Sequence, residues 1–141
     1  MKVKEVMTMD PCCCERSATA HKAANLMLEL DVGIVPVVDN EQDKHLVGLV
    51  TDRDLCMSVI AGGKDPTATR LEECMSADIV SCSPEDDVTK VFDLMNSRQI
   101  RRIPVIDKEN HIAGIVSTKD IALNTESPAK VGDTIKHISE P

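Results

Sequence analysis

Aromatic residues are almost missing from this chain: it has no Trp and no Tyr, and Phe92 is its one Phe. Its core must therefore be aliphatic, built from Val, Ile, Leu, Met and Ala. The shortage also removes the stacking platforms on which single-stranded nucleic acids are held. Positive charge is short as well. Sixteen Lys and Arg stand against 24 Asp and Glu, for a net charge of −8. An acidic chain repels a phosphate backbone, so nucleic acid is not an expected partner. No apolar run approaches the roughly 18 residues of a membrane span. The opening residues, MKVKEVMTMD, lack the apolar stretch of a secretory signal. No membrane association is expected, and a cytoplasmic location follows. Six cysteines in that setting are expected as reduced thiols rather than a disulfide framework.

The catalytic signatures that carry a known mechanism are absent too. There is no Gly-x-Ser-x-Gly, no His-Glu-x-x-His, no Gly-x-Gly-x-x-Gly and no P-loop. Gly62-Gly63-Lys64-Asp65 lacks both the P-loop spacing and its following hydroxyl. The chain is read as a protein that is not an enzyme and requires no cofactor.

What is present is one unit written twice. Residues 4–8 read KEVMT and residues 72–76 read EECMS, an offset of 68. The same offset lays Val35-Pro36-Val37-Val38-Asp39 over Ile103-Pro104-Val105-Ile106-Asp107. After a two-residue difference in the turn, His45-Leu46-Val47-Gly48-Leu49-Val50-Thr51 lies over His111-Ile112-Ala113-Gly114-Ile115-Val116-Ser117, and Asp54 falls on Asp120. Self-similarity of this kind is the mark of a repeated supersecondary unit.

Each copy predicts β-α-β-β-α, so the fold class is α/β. An opening turn (Val3–Thr8; Leu71–Ser76) leads to a brief extended stretch (Pro11–Cys14; Ile79–Cys82). A helix follows. Ala20, Ala23, Ala24 and Met27 fall at i, i+3, i+4 and i+7, as do Val88, Val91, Phe92 and Met95, which puts each set on one face. Ser83 is placed to cap the second of these helices, with Pro84 at its first position. Ile34–Val38 and Ile103–Ile106 are apolar runs typical of buried strands. Pro36 and Pro104 cannot donate to a ladder, which predicts a strand start or an edge for each. Leu46–Val50 and Ile112–Val116 return as antiparallel partners, and a last helix begins at Thr51 and at Ser117. One copy cannot bury its apolar sheet face alone, so the two are expected to pack together. The expected domains are repeat 1 at 1–60, a linker at 61–70, repeat 2 at 71–124 and a polar, weakly patterned tail at 125–141.

The most informative motif also occurs twice: Gly48-Leu-Val-Thr51-Asp-Arg-Asp54 and Gly114-Ile-Val-Ser117-Thr-Lys-Asp120. Each joins a buried strand to a helix start. A hydroxyl is followed three residues later by a carboxylate. The carboxylate can accept two hydrogen bonds from a ribose diol, while the hydroxyl and free N–H groups reach sugar or phosphate oxygens. The same spacing also makes a capping box, and both roles can hold at once.

The doubled unit, the hydrophobic-Pro-Val-hydrophobic-Asp strand and the Gly-x-x-[Ser/Thr]-x-x-Asp ending resemble a cystathionine-β-synthase (CBS) domain pair of the small stand-alone bacterial type. Val6-Met7-Thr8 and Cys74-Met75-Ser76 resemble that family's opening, and the likeness spans about Val3 to Asn124. The resemblance implies a pseudo-twofold pair with two clefts between the repeats. It implies a regulatory adenosine-containing ligand there: AMP, ADP, ATP or S-adenosylmethionine. Asp54 and Asp120 would then hold ribose hydroxyls, with Thr51 and Ser117 beside them. Backbone around Cys12–Cys13 and Ile79–Val80–Ser81 would face the base. The residues at and before Val35-Pro36 and Ile103-Pro104 would approach phosphate. Such pairs commonly form homodimers, and any regulated protein would be a separate partner.

The copies differ on the phosphate side. Arg101-Arg102 stands where copy one has Gly33-Ile34, and Lys119 stands near Asp120 as Arg53 does near Asp54. Arginine forks suit phosphate, so the copy-two site is expected to be the stronger. The alternative is that the two arginines solubilise a strand end or bridge to acids of a partner subunit.

Cys12-Cys13-Cys14 offers no metal-ligand spacing, since neighbours in a strand point to opposite faces. The expectation is small apolar side chains in a strand, with a thiol or metal redox sensor as the alternative. A partner-binding scaffold with empty clefts is the other alternative. His45 and His111 coincide in the repeats, which suggests a shared role at the turn.

Overall fold

A computed structural model of the protein describes residues 1–124 and 128–139. Residues 125–127 and 140–141 of the expected tail lie outside the described residues. A single 3-10 turn, Val3–Glu5, leads into β1 (Thr8–Met9) and then β2 (Cys14–Glu15). Next come α1 (Ala20–Leu30) and the hairpin β3 (Ile34–Val38) and β4 (Leu46–Thr51). α2 (Asp52–Asp54) continues directly as a π-helix over Leu55–Ile60. A second 3-10 turn, Leu71–Glu73, opens the second copy. It runs through α3 (Val88–Arg98), β5 (Arg102–Ile106), β6 (Ile112–Ser117) and α4 (Thr118–Asn124). α5 (Pro128–Ser139) follows. The α/β class and the tandem β-α-β-β-α order are those the sequence predicts.

The chain falls into two compact units, and each joins the body of one repeat to the opening of the other. One holds Pro11–Ile79 and is called the Thr51 unit below. The other holds Met1–Asp10 and the chain from Val80 onward, and is called the Ser117 unit. The repeats of sequence, 1–60 and 71–124, thus exchange their opening segments on folding. Their sheets have the same four parts. In the Thr51 unit the order is β2-β3-β4, with β2 parallel and β4 antiparallel to β3, and Ser76 bridges to Leu49 on the outer side of β4. In the Ser117 unit the order is β1-β6-β5, with Cys82 bridging in parallel to Val105.

Two repeated glycines let the opening segments in. A Cβ on Gly114 would lie 2.7 Å from the Thr8 carbonyl oxygen, and one on Gly48 would lie 3.0 Å from that of Ser76. Met7 and Met75 lie over the same two glycines. Val3 and Leu71, at matching places in the two openings, are fully buried.

The helix faces follow the expected period, with two corrections. Ala20, Ala23 and Met27 are buried, but Ala24 is exposed. Its counterpart Phe92 is buried together with Val88, Val91 and Met95. The difference is the cover, since α5 packs on α3. Ser83 does not cap α3. Its N–H donates to Asp86 Oδ2 at 2.8 Å within a separate turn, and the cap is Asp87, whose carboxylate accepts the Thr89 N–H at 2.9 Å.

The prolines need a third correction. Pro36 is the middle residue of the central strand of its sheet. Pro104 holds the same place in β5, and the Cys82 bridge to Val105 gives that strand a neighbour on its outer side as well, so neither proline lies at an edge or a strand start. A central proline is tolerated because the parallel neighbour is so short. The Cys82 N–H donates to the Pro104 carbonyl at 3.1 Å and Ile106 N–H donates back to Cys82 at 2.9 Å. Toward residue 80, and toward residue 12 in the other copy, a proline has no N–H to offer, and the ladder stops.

Candidate functional site

Each unit brings its motif to one end of its sheet. In the Thr51 unit, Ile34 pairs with Thr51, and the Asp52 N–H donates to the Gly33 carbonyl at 3.0 Å. In the Ser117 unit, Arg102 pairs with Ser117, and the Thr118 N–H donates to the Arg101 carbonyl at 3.0 Å. The strand ladder therefore places residues 33–34 and 101–102 beside the strand-to-helix turn. The parallel segment ends on the same side. Cys14 pairs with Val37, and Cys12 and Cys13 precede that pair in the chain, on the side where Ile34 meets Thr51. Cys82 bridges to Val105, and Val80 and Ser81 precede that bridge in the chain, on the side where Arg102 meets Ser117.

The turn itself is a reciprocal capping box in both copies. Thr51 N–H donates to Asp54 Oδ2 at 2.9 Å, and Asp54 N–H donates to Thr51 Oγ1 at 3.0 Å. Ser117 N–H donates to Asp120 Oδ2 at 3.0 Å, and Asp120 N–H donates to Ser117 Oγ at 3.1 Å. Capping is thus one real role of these residues. It engages a single oxygen of each carboxylate. Oδ1 of Asp54 and of Asp120 accepts no hydrogen bond among the described residues, and all four side chains are half-buried. A fixed carboxylate with an open oxygen at a strand end can accept from a hydroxyl pair.

The other predicted residues divide clearly. Arg53, Lys119, Arg101 and Arg102 are exposed. Neither Arg101 nor Arg102 makes an ion pair among the described residues. Val35 and Ile103 are 1% and 0% exposed and serve the cores, and Pro36 and Pro104 are buried too. These four residues present almost no surface to a ligand. Ile79 is half-buried and is the last residue of the Thr51 unit.

The three cysteines differ in environment. Cys12 is exposed, Cys14 is buried, and Cys13 lies between, its Sγ donating to the Pro11 carbonyl at 3.2 Å. Burial pushes the Cys13 thiol up to about 11 against the opposing pull of Lys44. Burial also raises Cys14, and it raises Cys82, its counterpart in the second copy, to about 11. These thiols resist forming the reactive thiolate. Among the described residues no group of three His, Cys, Asp or Glu side chains could hold a metal ion. His45 and His111 share a backbone role, their carbonyls accepting the Asp39 and Asp107 N–H groups at 2.9 and 3.0 Å.

Sequence reasoning missed α5 as a neighbour of the Ser117 mouth. Thr134 is 2% exposed and Ile138 packs on the same core. Pro128 at the helix start, with Thr134 and Ile138 at i and i+4, is the signal that could have found it.

The CBS-domain family model matches residues 3–60 and 71–124. The Bacillus subtilis protein YlbB is 38% identical over 139 residues, covering 99% of this chain and 92% of the relative. The crystal structure of hypoxic response protein I with two coordinated zinc ions is similar at TM-score 0.80 and 27% identity, covering 89% of this chain and 99% of that one. The CBS domain pair of protein MJ0100, in complex with 5′-methylthioadenosine and S-adenosyl-L-methionine, is similar at TM-score 0.77 and 25% identity, covering 87% and 94%. Among the described residues no helix is long and apolar enough to cross a membrane.

Proposed function

The chain belongs to the CBS-domain family, and on that premise we propose that it is a cytoplasmic regulatory module, not an enzyme, that binds an adenosine-containing compound at its Thr51 and Ser117 mouths. CBS pairs are regulatory ligand-binding modules. The observation that carries the reading is the repeated hydroxyl–carboxylate turn with one carboxylate oxygen held by the backbone and the other open. Asp54 and Asp120 would accept from the ribose diol. Backbone at Cys12–Cys13 and at Val80–Ser81, where the prolines end the ladder, would face the base. AMP, ADP, ATP and S-adenosylmethionine are the candidate ligands, and the MJ0100 pair gives the adenosyl class its support.

The two mouths are expected to differ in strength. Arg101 and Arg102 flank Ser117 with no ion-pair partner among the described residues, and phosphate is what such guanidinium forks hold best. The Thr51 mouth has Gly33 and Ile34 there, with Arg53 as its nearest sequence cation. Calorimetric titration with the four ligands is the test, and folded protein that takes up none of them refutes the reading. Asp120→Ala should lose most of the binding and Asp54→Ala less; equal losses would remove the asymmetry.

Two copies are expected to form a homodimer, with the regulated protein a further partner. Sedimentation of the free and ligand-bound chain checks the first point. A thiol sensor at Cys12–Cys14 has less support, because burial raises two of the three thiols.

A further inference from the structure

We infer that α5 is a positioning element for the phosphate side of the Ser117 mouth, so that docking of α5 and occupancy of that mouth favour each other; this rests on the adenosyl-binding reading above. α5 touches both chain segments that build this side. Thr134 closes on a narrow gap lined by Phe92, Met95, Thr118 and Ile121. Thr118 is the residue after Ser117, and its N–H holds the Arg101 carbonyl. On the other segment, Gln99 Nε2 donates to the His137 carbonyl at 3.4 Å. Gln99 ends α3 in the left-handed region at φ 54°, two residues before Arg101, and Ile100 and Ile138 pack on one core.

The contacts bracket Arg101 from both sides. Its guanidinium is exposed and has no ion-pair partner among the described residues, so its backbone sets where it can reach. When α5 is docked, the Gln99–Arg101 turn is held. When α5 is released, the turn must be ordered by the ligand itself, which weakens binding. The Thr51 mouth has no such element among the described residues. Ala24 and Leu55, the counterparts of Phe92 and Ile121, are exposed and half-buried, and from Ile60 the chain enters the 61–70 loop instead. α5 thus adds a control to one mouth that the duplication did not give the other.

Coupling of this kind is reciprocal: if α5 tightens the ligand, the ligand tightens α5 by the same factor. It also has a chemical signature, because α5 acts on the arginine side and not on the ribose carboxylate. Thr134→Arg forces a cation into the apolar gap and should undock α5. Gln99→Asn keeps a residue suited to the left-handed turn but cannot span to His137. The experiment measures ADP and adenosine affinity in the full chain and both variants, with hydrogen exchange of the α5 amides with and without ADP. The expected result is protection of α5 by ADP, a loss of ADP affinity of about tenfold for Thr134→Arg and a smaller loss for Gln99→Asn. Adenosine affinity should change less than twofold, on the order of the scatter between independent sites. Equal losses for ADP and adenosine, or ADP binding that leaves α5 exchange unchanged, would overturn the inference and leave the functional reading standing. A folded parent chain that binds no adenosyl compound would overturn both.

Discussion

Phe92 and Ala24 hold the same place in the two repeats, as do Asn96 and Leu28. Phe92 is 7% exposed and Leu28 is 81% exposed, while Asn96 keeps a buried Oδ1. At these two places, then, burial does not follow the repeat. It follows α5, which packs on α3 and α4, while among the described residues α1 and the π-helix of the Thr51 unit have no equivalent helix. The duplication supplied a scaffold, and the added helix gave one copy a second apolar face to fill. The only aromatic side chain of the protein sits where that face had to be filled. Cutting it back should make the largest difference between the units. Phe92→Ala should lower stability by about 3–5 kcal/mol, because the transfer of a large side chain is lost and a cavity remains. Urea unfolding measures this directly. A loss as small as that of an exposed site would mean that α5 does not bury this face.

The openings provide a second comparison, at two glycines. At Gly114 an added Cβ meets the Thr8 carbonyl oxygen at 2.7 Å, a backbone atom that can move only with its strand. At Gly48 the nearest atom is Met75 Sδ at 2.5 Å, the end of a flexible side chain, and the Ser76 oxygen stands back at 3.0 Å. Gly114→Ala should therefore destabilise by about 2 kcal/mol and Gly48→Ala by about 1, within the range for overpacking. Reversal of that order would show that the Met75 side chain, rather than the strand carbonyl, sets the limit.

Most of the scaffold was legible because it depends on local pattern. The period of Val88, Val91, Phe92 and Met95, and the strict doubling of the strand pairs, each reflect one face meeting one core. The capping box at Thr51–Asp54 was legible for the same reason. The exchange of openings was not, since Met7 and Gly114 are far apart in sequence and neither announces its partner. The exposure of Ala24 was not legible either, because an alanine suits a covered or an open helix face. The mid-strand Pro36 ran against the ordinary rule, and only the short reach of β2 explains it. The two open carboxylate oxygens were visible as residue types in the motif, but the capping bonds that leave one oxygen over depend on backbone geometry.

Asn96 sharpens the contrast between the covered and open faces. Its Oδ1 is buried with no hydrogen-bond partner among the described residues. A buried acceptor without a partner is destabilising. The open copy has Leu28 at this place, an apolar residue where water is available. Giving the covered copy the same side chain, Asn96→Leu, should raise stability by about 1 kcal/mol. A shift in the urea midpoint with unchanged slope is the expected reading. A loss of stability instead would mean that the carbonyl is satisfied in solution.

The smallest difference lies in how the two openings are tied by charge. In the Ser117 unit, Lys2 and Lys4 donate to Glu85 at 2.8 and 3.0 Å, and the Met1 amine lies 3.5 Å from Asp87. The lysine hydrogen bonds and charges hold Glu85 well below its ordinary 4.5, at about 2. The Thr89 hydrogen bonds hold Asp87 at about 2. Both openings share a backbone cap, Glu5 Oε2 accepting the Lys2 N–H at 2.6 Å and Glu73 Oε2 the Arg70 N–H at 2.7 Å, but among the described residues the second opening has no lysine pair. A carboxylate with a lowered folded pKa adds stability that is complete above its unfolded value and disappears as pH falls through the folded one. For Glu85 that window runs from 4.5 down to about 2. These groups are exposed, so solvent and salt screen the pairs and their effect at neutral pH is slight. Glu85→Gln should therefore melt slightly below the parent at pH 7, and the gap should close as pH falls toward 2. Hydrogen exchange should show the loosening in residues 2–6 and not in 70–74. Acid loosening of both openings together would mean that the lysine pairs are not what distinguishes them.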